Sequence, residues 1–369
     1  QVEMKFHCPA CKIPVIEPIY RCPTCDGPVE YLPSQTPAFP REAITTRPSD
    51  MWRYSEALPA FAKRISLGEP VTPLVSFEQD GIEAWAKCEY LMPTGSYKDR
   101  GAALLASYLG DIGIREAVED SSGNAGAALA AYAVRADIRL KVFCPATASP
   151  GKLAQIRLYG AELVPVEGPR PRATEALLTY AAQHEVPYAS HLWHPLFIEG
   201  VKTLAFELVE QNNWQAPATI LCPVGAGSIL LGLYRGFRDL LAADAISSMP
   251  RLVAIQAAHV SPLHRAFHEG ACTVAPAKDP QPTLAEGIAL PKPVRDVELL
   301  SALRESGGDV LTVSEEDIKK GITELGRRGF CVEPTSAVIW EGLRKYRQKA
   351  DLRPGDRVVS VLSGHGLKA

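Results

Sequence analysis

The chain lacks the features that would place it in a membrane, in a fibre or on a nucleic acid. No apolar run approaches the roughly 18 residues that a membrane span needs, and residues 125–134 are among the longest. Neither sign of charge is in excess. With 39 basic and 42 acidic side chains the formal net charge is −3, so the electropositive field expected of a nucleic-acid or anionic-surface binder is missing. There is no internal repeat and no low-complexity tract, and a composition 46% hydrophobic and 22% charged excludes collagen-like, coiled-coil and disordered chains. Residues 1–6 lack the basic-then-apolar order of a secretory signal. A cytoplasmic protein without membrane or nucleic-acid partners is expected. A length of 369 residues implies two or three domains.

The nine cysteines are unevenly spread. Four form Cys8-Pro9-Ala10-Cys11 and Cys22-Pro23-Thr24-Cys25, a Cys-x2-Cys-x10-Cys-x2-Cys spacing. Two thiolate pairs on knuckle turns suit tetrahedral zinc, so residues 1–31 are expected to be a zinc ribbon with a closed, structural site. Two disulfides, an empty site or a rubredoxin-like iron would use the same residues. The ribbon has few basic residues for nucleic acid. Cys88, Cys144, Cys222, Cys272 and Cys331 are scattered and carry no nucleophile signature. They are expected to be reduced and structural.

Beyond a Pro/Ser/Thr-rich strap over 32–48, short apolar strands alternate with helical stretches. Strands are expected at 84–89, 116–120, 140–144, 162–166, 219–222, 252–256 and 358–362. Helices are expected at 99–109, 125–135, 150–159, 199–211 and 229–241. Such alternation implies an α/β fold of parallel sheets covered by helices, with ligands at the strand-to-helix loops.

Three of those loops are unusual. Pro93-Thr94-Gly95-Ser96-Tyr97-Lys98-Asp99-Arg100-Gly101 puts a lysine at the mouth of a helix. The helix dipole and burial there depress an amine pKa and make it a nucleophile for a carbonyl. On spacing alone a surface lysine in a turn is the simpler account. Ser121-Ser122-Gly123-Asn124-Ala125-Gly126 opens an alanine-rich helix whose free N–H groups suit a carboxylate or phosphate, although Ser and Asn also serve as ordinary caps. Gly225-Ala226-Gly227-Ser228 follows a strand and could cradle a phosphate. As a dinucleotide fingerprint it lacks the third glycine, because Leu230 stands there.

Together these segments carry a resemblance. The lysine motif, Ser121-Ser122-Gly123-Asn124 and Ser363-Gly364-His365-Gly366-Leu367-Lys368 resemble the motifs of threonine synthases. More broadly they resemble the fold-type-II, tryptophan-synthase-β-like pyridoxal-phosphate enzymes. Thr283 to Ile288 and Glu333-Pro334-Thr335-Ser336-Ala337 are similar to further segments of that family, and the match runs over nearly the whole chain in the family's order. The resemblance implies two twisted, mostly parallel sheet domains with flanking helices: a larger cofactor-binding one over 32–85 and 195–369, and a smaller substrate-side one over 86–194. It also implies a homodimer. Lys98 would form the Schiff base with pyridoxal 5'-phosphate and later remove the substrate α-proton. Asn124 would hold the cofactor 3-hydroxyl, and Gly225, Ala226, Gly227 and Ser228 its phosphate. Ser121, Ser122, Gly123 and Ala125 would bind the substrate α-carboxylate. Ser363 would face the pyridine nitrogen, where a neutral hydroxyl favours loss of a β or γ leaving group over transamination.

The chain departs from threonine synthases where they grip a substrate phosphate. Ala125 replaces a threonine after the asparagine, and aligning on Glu199-Gly200-Val201-Lys202-Thr203 puts His191 and Leu192 at Asn-Ser positions and Phe197 at an arginine. Phenylalanine offers no charge-assisted contact to phosphate. The expectation is therefore a lyase or β-replacement enzyme acting on a small hydroxy or O-substituted amino acid, with His191 or His194 as a proton donor. Threonine synthase with a phosphate site rebuilt from Lys152, Arg157 or Lys202 is the alternative. A non-catalytic cofactor-binding protein is a third.

Overall fold

A computed structural model of the protein describes residues 4–16, 21–148, 150–353 and 355–368, with the side chain of Lys152 outside that description. The chain parts into two compact units, 1–70 with 98–201 and 71–97 with 202–369. Segment 32–70, expected with the larger domain, packs in the first unit, where the Ile65 N–H donates to Ser107 Oγ at 2.8 Å.

In the first unit, strands Glu116–Glu119, Arg139–Pro145 and Glu162–Val166 form a parallel sheet, each followed by a helix. Val118, Phe143, Ala173, Leu177 and Tyr188 make a buried cluster against it. The segment around Tyr188 extends this sheet, pairing parallel with Val118. Helix Asn124–Arg135 is mostly alanine, so it packs closely; at Gly126 a Cβ would lie 1.8 Å from the Ser121 carbonyl oxygen. Three short antiparallel strands, Pro14–Val15, Lys5–His7 and Glu30–Leu32, make the ribbon.

The second unit holds a six-stranded sheet. Its order is Asp309–Val313, Arg251–Ala257, Thr219–Pro223, Val358–Val361, Ile82–Lys87 and Leu74–Gln79. All pairs are parallel except the last, a hairpin. That hairpin turns through Asp80 and Gly81, both at positive φ (53° and 77°), as a two-residue primed turn demands. Helices Ser228–Ala242, Glu315–Gly326 and Pro334–Lys349 bury their apolar faces.

The expected strands and helices are present, with one difference. The stretch expected as a single helix over 199–211 is two, Pro195–Val201 and Thr203–Gln211. Gly200 lies so close to the helix Lys98–Asp111 that a Cβ there would stand 2.0 Å from the Arg100 carbonyl oxygen. Among the described residues no helix is long and apolar enough to cross a membrane.

Candidate active site

In the first unit, helix Lys98–Asp111 begins at the predicted lysine, so its half-buried side chain leaves from the first turn. Gly101 on that helix lets Phe197 approach; a Cβ there would stand 2.5 Å from the ring. Phe197 is fully buried, and Lys98 Nζ lies 5.6 Å from its centroid. His191 meets the same ring edge-on at 6.0 Å. The lysine and the histidine thus share one aromatic neighbour.

The loop 121–124 leads into helix Asn124–Arg135 with Gly123 as N-cap and no side-chain cap hydrogen bond, and the start of such a helix is electropositive. The Gly123 N–H itself donates to Ser121 Oγ at 3.3 Å. Ser121 and Ala125 are buried, whereas Ser122, Gly123 and Asn124 are half-buried. Beside this loop, His191 Nδ1 lies 2.6 Å from Glu119 Oε1, with both side chains buried. Burial and the neighbouring Asp120 charge push the Glu119 carboxyl well above the usual carboxylate range. Burial, with the Lys98 charge, holds His191 well below an ordinary imidazole. The two side chains share this one hydrogen bond, and both shifts disfavour charge on the pair.

In the second unit, strand Thr219–Pro223 runs into the loop 224–227 and the 15-residue helix Ser228–Ala242. Gly227 turns the chain at φ +86°, and a Cβ on Gly225 would meet the Ile288 backbone at 2.7 Å. Glycine is required at both, and the loop presents the positive end of a long helix. The Ser228 hydroxyl is held at 2.7 Å by the Tyr97 hydroxyl. Ser363, just past strand Val358–Val361, is buried and shares a 2.9 Å hydrogen bond with Ser336 Oγ, which also accepts from the Gly364 N–H at 3.0 Å. The motif 363–368 folds back on 94–97: the His365 N–H donates to the Gly95 carbonyl and Lys368 Nζ to the Thr94 carbonyl.

Sequence reasoning missed Glu119, Tyr97 and Ser336 as members of this chemistry. Tyr97 and Ser336 lie inside motifs already singled out, and two acidic residues ending an apolar strand were the available signal for Glu119.

The described ribbon cysteines also converge. Cys8, Cys11, Cys22 and Cys25 bring their sulfurs within 4.8 Å of one another. Backbone N–H groups of Cys11 and Thr24 donate to the Cys8 and Cys22 sulfurs. Two sulfur–sulfur separations, 3.6 Å for Cys8–Cys25 and 3.9 Å for Cys11–Cys22, bracket the ~3.8 Å edge of a tetrahedron with 2.3 Å metal–sulfur bonds.

Taken separately, the first unit carries a lysine at a helix mouth, and the second carries a glycine loop at a long helix start and a buried neutral hydroxyl, groups whose chemistry suits a phosphorylated aldehyde cofactor. The sequence profile described as "Pyridoxal-phosphate dependent enzyme" matches residues 65–364. The chain belongs to this family. Within it, the chain is 34% identical over 366 residues to the threonine synthase of Methanocaldococcus jannaschii, covering 96% of this chain and 90% of the relative. It is 32% identical over 360 residues to that of Methanosarcina acetivorans, covering 95% and 88%. Among solved structures, a threonine deaminase from T.th. superposes with a TM-score of 0.70 at 25% identity, covering 82% of this chain and 94% of that one. Maize serine racemase shares the fold, with a TM-score of 0.72 at 20% identity over 87% of this chain and 94% of its own.

Proposed function

We propose that the protein is a pyridoxal-phosphate-dependent lyase or β-replacement enzyme. Its substrate is a small amino acid with a hydroxyl or O-substituted side chain, and the reaction is elimination or replacement at the β or γ carbon. The observation carrying this choice is the lining around Lys98: the buried Phe197 ring, at the position that aligns with an arginine, and the buried Glu119–His191 pair.

When bound, the cofactor supplies an electron sink for the substrate's α-carbon. Lys98 Nζ is the group that attaches the cofactor and takes the α-proton. Asn124 orients the cofactor through its 3-hydroxyl. Backbone N–H groups at Ser121, Ser122, Gly123 and Ala125 hold the α-carboxylate. Gly225, Ala226, Gly227 and Ser228 hold the phosphate, with Tyr97 fixing the Ser228 hydroxyl. Ser363, itself bonded to Ser336, offers the ring nitrogen a neutral hydroxyl and holds no proton there. His191 faces the leaving group. In the ribbon, Cys8, Cys11, Cys22 and Cys25 hold a structural zinc. Cytoplasmic residence and a homodimer belong to the same reading, and light scattering of the purified protein tests the dimer.

Identity of 32–34% over at least 95% of the chain to two threonine synthases supports a second reading, threonine formation from O-phospho-L-homoserine. Of the cations expected to rebuild its phosphate site, Lys202 is buried and paired with Asp239 at 2.5 Å and Arg157 is exposed, while Arg170, whose charge acts on both Glu119 and His191, favours this second reading. Lys152 lies outside the described side chains. The test is to incubate holoenzyme with L-serine, L-threonine and O-phospho-L-homoserine. The first reading expects 2-oxoacid from a hydroxy amino acid, and phosphate release from O-phospho-L-homoserine alone contradicts it. Loss of the cofactor's Schiff-base absorbance in Lys98→Ala checks the lysine; an unchanged spectrum removes it from the site.

A further inference from the structure

The end of strand Glu116–Glu119 carries two buried carboxylates whose surroundings differ. Asp120 is satisfied: the Tyr188 hydroxyl donates to Oδ1 at 2.8 Å and the Thr174 hydroxyl to Oδ2 at 2.6 Å. Glu119 is not. Its Oε1 meets His191, while its buried Oε2 has no hydrogen-bond partner. The pairing is enforced by backbone register. The Val118 N–H donates to the Pro187 carbonyl at 3.0 Å and the Ala189 N–H to the Val118 carbonyl at 2.9 Å, which carries His191 alongside Glu119 across 72 residues of sequence. The His191 ring and Lys98 Nζ lie 6.0 and 5.6 Å from the centroid of the same Phe197 ring, and the Lys98 charge acts on His191. Nδ1 is spoken for, so Nε2 is the imidazole nitrogen left for a ligand.

A carboxyl and an imidazole, buried together against the same aromatic ring as a lysine amine, are costly to bury, and such pairs cluster at sites where a proton moves. We infer that Glu119 and His191 form a proton relay in which Nε2 of His191 protonates a departing hydroxyl, making hydroxy amino acids the substrates of this site. The inference rests on the function proposed above and names its leaving group. Lys98 Nζ removes the α-proton, and that C–H electron pair becomes the Cα–Cβ double bond. The Cβ–O bond breaks with its electron pair on oxygen, oxygen takes the proton from Nε2, and Nδ1 takes the proton of the Glu119 carboxyl. The products of this step are water, the α,β-unsaturated amino acid, a Lys98 ammonium holding the α-proton, a Glu119 carboxylate and an imidazole protonated on Nδ1; the proton that Lys98 then gives up to solvent balances the one that resets the pair. A phosphate leaves as a stable anion and needs no such donor.

Glu119 acts through His191 and is a positioning residue and proton reservoir. The charged and titratable groups that face the pair are Asp120 and Tyr188 beside it, Lys98 at the start of helix Lys98–Asp111 and Arg170 at the start of helix Arg170–His184. Because the relay works only while the pair holds its proton, turnover of a hydroxy substrate should fall as pH rises through the loss of that proton.

The experiment compares holoenzyme with Glu119→Gln and His191→Gln on L-serine and on β-chloro-L-alanine, whose chloride departs without a proton. Thermal melting and cofactor absorbance establish that each variant is folded and loaded. The relay predicts a kcat on L-serine lowered about 10²–10⁴-fold, the usual contribution of a general acid, with β-chloro-L-alanine changed less than about threefold on the same scale. It also predicts loss of the alkaline limb of the L-serine profile in Glu119→Gln. Equal losses on both substrates, or wild-type turnover of the chloride alone, overturn the relay and leave the proposed lyase standing. No wild-type turnover of either substrate overturns the proposed lyase itself.

Discussion

Replacing Gly101 by alanine tests the packing that positions the lysine. In an exposed helix interior the change would stabilise the fold by about 1 kcal/mol, because glycine is the poorer helix former. Here the new methyl would stand 2.5–2.6 Å from three atoms of the Phe197 ring, roughly 1 Å inside van der Waals contact. The ring is fully buried and cannot swing aside into solvent. Overpacking of this kind costs about 1–3 kcal/mol, so after the propensity gain the expected net effect is a loss of up to about 2 kcal/mol, opposite in sign to the propensity. Denaturant unfolding of the holoenzyme measures it, and the Lys98 Schiff-base absorbance reports whether the lysine has shifted. Phe197→Leu in the same chain should recover part of the loss, because it frees the space the methyl needs; a double-mutant cycle isolates that coupling. A Gly101→Ala variant as stable as wild type, or no coupling to position 197, would refute the packing argument.

Tyr97→Phe strands the buried Ser228 hydroxyl, which costs about 1–3 kcal/mol. If Ser228 serves the cofactor phosphate, equilibrium dialysis should show affinity weakened by about tenfold or more; unchanged affinity would place the Tyr97–Ser228 bond outside the cofactor site. Elemental analysis should find one zinc per chain, lost together with thermal stability in Cys8→Ser, whereas iron or no metal would contradict a zinc ribbon. Stability should also depend on pH through the buried pair. Glu119 binds its proton more tightly when folded, so the stability it contributes is present below its ordinary value of 4.5 and is lost as pH rises toward the folded value. His191 has the opposite sign, and stability falls as pH drops below about 6.5. Melting temperatures should therefore fall less as pH rises above 4.5 in Glu119→Gln than in wild type, and identical slopes would contradict the upward shift of Glu119.

Local pattern makes much of this fold legible. Apolar strands such as Thr219–Pro223 and the alanine-rich helix Asn124–Arg135 are written in consecutive residues, and their order implies parallel sheets. The hairpin at Asp80-Gly81 also carries a local signal, a two-residue primed turn flanked by strands, which a search for apolar runs passes over. The break at Lys202 is not legible, because the apolar pattern continues through it and Lys202 itself keeps helical dihedrals, φ −53° and ψ −31°. The cysteine cluster is legible from spacing alone. Lys98 is not: only the resemblance singles it out from an ordinary turn lysine. Least legible is the Glu119–His191 pair, since it depends on a parallel register between residues far apart in sequence. Phe197 can be placed by alignment, but its nearness to both Lys98 and His191 needs the ring distances.

The central claim is that Lys98 and its surroundings process an amino acid whose leaving group is not phosphate. The most direct measurement is a spectral titration of the holoenzyme, with product assay, against L-serine and O-phospho-L-homoserine side by side. The account predicts a perturbed cofactor band and 2-oxoacid with L-serine, and no phosphate from O-phospho-L-homoserine. Stoichiometric release of phosphate and threonine from O-phospho-L-homoserine, with L-serine inert, would contradict it.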